Sequence, residues 1–184
     1  MTSFASILLI VAAIIAVYII ATYNRGIKLR NFVREAFSTM DVYLKKRWDF
    51  IPNLIEAVKG YMEHEKGLLN QLTDLRTKNY SQMSADEKLQ TNMQLGNIVP
   101  KILAVAENYP NLRASENFDN LMNNLSSVEE DIANARKYYN GTVREFNTFT
   151  EVFPSNLICG FFGFKPEKLF EIDESERENV KVKF

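Results

Sequence analysis

Residues 121–146 read LMNNLSSVEEDIANARKYYNGTVREF. Within this stretch Leu121, Leu125, Val128, Ile132, Ala135, Tyr139, Val143 and Phe146 recur at steps of four and three. That alternation puts one apolar seam on an α-helix and suits knobs-into-holes packing against a neighbour. The intervening positions are mostly polar or charged, so the rest of the helix faces water.

Working back along the chain, similar seams precede it. Leu29, Val33, Ala36, Met40 and Tyr43 mark a first helix that ends near Trp48, with Asp49 and Pro52 as the boundary. Leu54, Val58, Tyr61, Leu68, Leu72 and Leu75 mark a second, from about Pro52 to Lys78. Ser84 followed by Glu87 has capping-box spacing and opens a third, with Leu89, Met93, Val99, Leu103 and Ala106 on its seam and a kink expected at Pro100. Asn108–Asn111 reads as a turn, and Ser115 as the cap of the last helix. Long helices joined by short turns must be antiparallel neighbours. The expectation is all-α: an N-terminal transmembrane helix, then an up-and-down antiparallel four-helix bundle.

The leader supports the first part of that reading. From Phe4 to Ala21 only Ser6 and Tyr18 are not apolar or small, and no charge occurs before Arg25. As a helix, residues 4–22 extend about 28 Å, enough to cross a hydrocarbon core of about 30 Å. A cleaved signal would carry a basic n-region and a small-residue cleavage site, which "IIATYN" does not offer. Arg25, Lys28, Arg30 and Arg34 follow the span. The positive-inside rule then expects a single-pass cell-membrane protein with its N-terminus outside and its bundle in the cytoplasm. The expected organisation is an anchor over 1–24, a bundle over 25–153 and a tail over 154–184. In that tail, "SNLICGFFGFKPEKLF" crowds phenylalanines among glycines. It reads as a strap over the bundle or an aromatic segment for a membrane interface or a partner groove. From Asp173 onward it is charged and expected to be loose.

Composition narrows the function. Net charge is −1 and the pI is near 6.0, without the basic excess of a nucleic-acid binder. Cys159 is the single cysteine and is expected to be buried filler rather than a nucleophile, for the single histidine, His64, is far away in sequence. A di-iron bundle needs two Glu-x-x-His pairs, but Tyr61 stands three residues before His64. No metal, no cofactor and no enzymatic activity are expected.

Some polar residues fall on or beside the seams: Arg47, Glu65, Arg136, Asn140 and Asn147. An unpaired buried charge is costly, so these residues either pair in a network that fixes helix register or line a polar groove.

The stretches "MDVYLKKRWDFIPNLIEAVKGYMEHE" and "AENYPNLRASENFDNLMNNLSSVEEDIANARKYYNGTVREFN" closely resemble the LemA family. The likeness runs from Arg25 to about Phe170 and extends to the closing "FGFKPEKLFEID"; Phe50 and Ile55 replace the commoner Leu and Val. The resemblance implies a bacterial membrane protein with an external N-terminus and a cytoplasmic helical bundle, and it brings no biochemical activity with it. The family's motif residues map onto Arg47, Asp49, Pro52, Asn53, Tyr61, His64, Glu65, Glu107, Tyr109, Pro110, Arg136, Tyr139, Asn140 and Asn147. The candidate network or groove is therefore Arg47, Asp49, Asn53, His64, Glu65, Glu107, Arg136, Asn140 and Asn147. The functional expectation is a membrane-anchored scaffold that binds another protein or itself. The alternative is a small-ligand sensor or membrane-remodelling module that uses the groove and the aromatic tail.

Overall fold

The computed structural model describes residues 2–61 and 65–170. It is all-α, with no strand among the described residues. The helices are α1 (Thr2–Asp49), α2 (Ile51–Lys59), α3 (Lys66–Arg76), α4 (Ala85–Ala106), α5 (Pro110–Arg113), α6 (Glu116–Glu151) and α7 (Ser155–Phe161), with a 3₁₀ turn at Tyr80–Gln82 before α4. Two compact units emerge, one of residues 2–38 with 136–170 and the other of residues 39–135.

The 39–135 unit is built around Ile51, Leu54, Val58, Leu72, Leu95, Ile98, Ile102, Leu112, Phe118 and Leu125, all buried. Burying each such side chain stabilises by about 1.5–3 kcal/mol. The helix expected over Pro52–Lys78 is divided. Pro52 is accepted in the first turn of α2, where its missing N–H costs nothing. The chain stops being helical at Gly60, and α3 starts only at Lys66. The two helices pack against each other. Tyr61, expected on the seam, is exposed.

The α4 seam also differs from expectation. Asn92, Leu95, Ile98, Ile102 and Ala106 are buried, while Leu89, Met93, Val99 and Leu103 are only partly covered. A polar residue, Asn92, holds a core position, and that displaces the apolar stripe from the one an apolar-only pattern selects. The capping box is made: Ser84 Oγ accepts from Glu87 N–H at 3.3 Å and Glu87 Oε2 accepts from Ser84 N–H at 2.7 Å. The helix continues through Pro100, which is exposed.

In the 2–38/136–170 unit, α1 and α6 run antiparallel. Gly26 faces Phe149 and Phe37 stacks edge-on against Tyr139, so α6 retreats as α1 advances. The first helix's seam holds at Leu29, Val33 and Ala36. After α6, Ser155 Oγ donates to the carbonyls of Phe149 (2.7 Å) and Val152 (2.9 Å), tying the start of α7 to the end of α6. α7 ends in a left-handed glycine cap: Gly163 has φ +72, its N–H donates to Gly160 O, and Phe164 N–H donates to Cys159 O at 2.9 Å. That turn sends Phe164 inward and starts a stretch, neither helix nor strand, that runs to Phe170. The charged end from Asp173 lies outside the described residues.

Candidate functional site

On α6, Asn140 and Asn147 stand one heptad apart, beside the seam. Asn147 Nδ2 donates to Glu167 O at 2.8 Å, and its Oδ1 accepts from Glu167 N–H at 2.8 Å. Asn140 does the same with Phe170, at 2.9 Å and 2.8 Å. Each side-chain amide thus imitates a neighbouring strand's peptide group. The spacing explains why two asparagines suffice: seven helical residues advance about 10.5 Å, and three extended residues advance about 10 Å. Between the two rungs Tyr139 Oη donates to Lys168 O at 2.9 Å. The Arg136 guanidinium lies over the Phe170 ring, 5.5 Å from its centroid. Arg136, Asn140 and Asn147 therefore share one strip that holds the 167–170 segment.

In the other unit Arg47 is 4% exposed. Its Nη2 lies 2.7 Å from Glu129 Oε2 on α6, and its Nη1 donates to Asn92 Oδ1 on α4 at 3.2 Å. One guanidinium thus ties three helices, a geometry its fixed fork suits better than an ammonium would. One turn or two earlier on α1, Asp41 accepts from Tyr80 Oη at 2.7 Å and pairs with Lys88 Nζ at 2.6 Å. Burial and the neighbouring Asp41 carboxylate raise the Tyr80 phenol well above its usual value, so it stays a neutral donor. Trp48 packs against the Tyr80 ring.

The LemA family model matches residues 36–184. This chain belongs to the LemA family. Among curated relatives it is similar to "Protein LemA" of Metamycoplasma hominis, 23% identical over 85% of this chain and 72% of that protein. It is also similar to "Magnetosome protein MamQ 2" of Paramagnetospirillum magneticum, 22% identical over 89% of this chain and 71% of that protein. A third relative is "Magnetosome protein MamQ" of Magnetospirillum gryphiswaldense, 20% identical over 80% of this chain and 64% of that protein.

The remaining candidates of this LemA-family chain lie apart from those two constellations. Asp49 is exposed and pairs with Lys45 one turn back on α1. Asn53 and Glu107 are exposed, on α2 and just after α4. Glu65 is half-buried, and its carbonyl accepts from Leu68 and Leu69 N–H at the start of α3. His64 lies outside the described residues. The partners Asp41, Tyr80, Lys88, Asn92 and Glu129 were not among the candidates. Asn92 alone carried a signal, for it is the polar member of the stripe that Leu95, Ile98 and Ile102 continue.

Among the described residues no group of three acidic, His or Cys side chains could hold a metal. Cys159 is buried in α7, and burial pushes its thiol up, away from a nucleophilic thiolate. A cleft of about 600 Å³ opens between α1 and α6, lined by Tyr18, Ala21, Thr22, Arg25, Arg144 and Phe153 among others.

Proposed function

We propose that this LemA-family protein is a single-pass membrane-tethered interaction module, with its N-terminus outside the cell and its helical bundle in the cytoplasm. The reading rests on α1. This helix contains a window of mean hydropathy 2.9, none of it buried within the chain, and it is the described helix long and apolar enough to cross a membrane. Leaving Ile7, Leu8, Leu9, Ile10, Ile14 and Val17 bare in water would be a severe liability, whereas lipid removes it. Arg25, Lys28, Arg30 and Arg34 follow within the next turns of the same helix and set the orientation by the positive-inside rule. The span continues without interruption into the seam residues of the same helix.

Protease added to intact cells tests the topology. The bundle should resist digestion until the membrane is opened; digestion from outside overturns it. Crosslinking in membranes tests the interaction role. It should give a discrete higher-mass species, either a self-adduct or a recurrent partner. A chain that stays monomeric at every crosslinker length overturns that role.

A further inference from the structure

α7 and the turns flanking it expose an apolar face that nothing in their own unit covers. Phe161 is 85% exposed, Phe153 79% and Leu157 65%, with Val152 and Phe162 about half exposed. The opposite side of the helix is accounted for, since Ser155 and Cys159 are buried. No charged side chain occurs between Val152 and Phe164. A bare phenylalanine-rich face on a short helix needs an occupant.

Its position says which. Phe153 and Pro154 line the same cleft as Tyr18 and Ala21, residues of the last turns of the apolar span. Tyr23, just beyond the span, has its ring centroid 4.8 Å from that of Phe162. The exposed face is therefore level with the span's inner end. Arg25 and Arg144 stand at the same cleft with Glu145, a net positive rim of the kind that meets lipid phosphates.

We infer that α7 is a second membrane contact, lying in the headgroup–acyl boundary of the leaflet into which the positively flanked end of α1 emerges, with Phe153, Leu157 and Phe161 inserted among the lipid chains. This rests on the membrane-tethered reading of α1. Segments of this kind sit about 5–10 Å into the boundary. The occupant is lipid rather than a protein groove because the face continues from a surface that is itself lipid-facing.

The test uses the full chain reconstituted in vesicles containing brominated phospholipid, with Phe161→Trp, Leu157→Trp and, on the span, Val17→Trp as separate variants. The signal of Trp48 in the parent chain is subtracted, and far-UV circular dichroism confirms helicity. Trp introduced at positions 161 and 157 should be quenched to an extent comparable with Trp at position 17. Quenching at position 17 with none at 157 and 161 overturns the α7 contact and leaves the anchor standing. No quenching at any of the three positions overturns both.

Discussion

A methyl group added at Gly26 on α1 would sit 3.0 Å from Phe164 Cζ and 3.2 Å from Phe149 Cε1. The glycine is thus the floor on which two aromatic rings close, one from α6 and one from the segment after α7. Gly26→Leu overpacks that floor and should destabilise by about 1–3 kcal/mol, outweighing the gain in helix propensity. Thermal unfolding in detergent checks it. A melting temperature equal to the parent's would show that the rings are not seated where the structure has them.

Arg47 and its two partners should respond unequally. Arg47→Leu leaves Asn92 in the core without the guanidinium that fills its Oδ1, at a cost of about 1–3 kcal/mol. Glu129→Gln should cost more than Arg47→Leu, because it takes the counter-charge from a guanidinium that is 4% exposed, whereas Arg47→Leu removes that buried charge altogether. Denaturant unfolding of both variants decides; a smaller loss in Glu129→Gln than in Arg47→Leu would show that the buried guanidinium does not depend on the pair.

The asparagine rungs can be removed one at a time. Asn140→Ala deletes two hydrogen bonds to Phe170 and Asn147→Ala two to Glu167, each bond contributing about 0.5–1.5 kcal/mol. Amide exchange at Phe170 should rise in the first variant and at Glu167 in the second. Unchanged protection at both positions would refute the pairing.

Acid should weaken the start of α4. Hydrogen bonds from the Ser84 hydroxyl and N–H hold the Glu87 carboxyl below its ordinary value of 4.5. A depressed folded-state value means the cap's contribution is complete above 4.5 and is lost as pH falls through the lower value. The difference in stability between the parent and Glu87→Gln should therefore be present at pH 7 and vanish in acid. A difference that persists at pH 2 would assign the effect to something other than ionisation.

What the sequence makes legible follows from which interactions are local. Every seam position expected on α6, from Leu121 to Phe146, is buried, because a regular four-and-three pattern is a property of one helix alone. The α4 stripe is misread because Thr91 and Asn92 are polar and buried, and the partner that satisfies Asn92 there, Arg47, stands forty-five residues earlier. The division between α2 and α3 is missed because Pro52, the strongest local breaker, falls where a helix tolerates it, whereas Gly60 carries a weaker signal. Arg47, Asn140 and Asn147 stand out as polar residues on or beside the seams. Asn92 apart, their partners do not, for Glu129 is an ordinary surface acid and the two asparagines hold backbone, which has no side-chain signature.

The match between a heptad of α6 and three extended residues turns the asparagine strip into a length gauge. A segment in which one residue is deleted between Glu167 and Phe170 can engage one tooth of the gauge but not the second, because its next peptide group arrives about 3 Å short. The strip consequently tolerates almost any side chain at Lys168 and Leu169 while remaining strict about how many residues lie there.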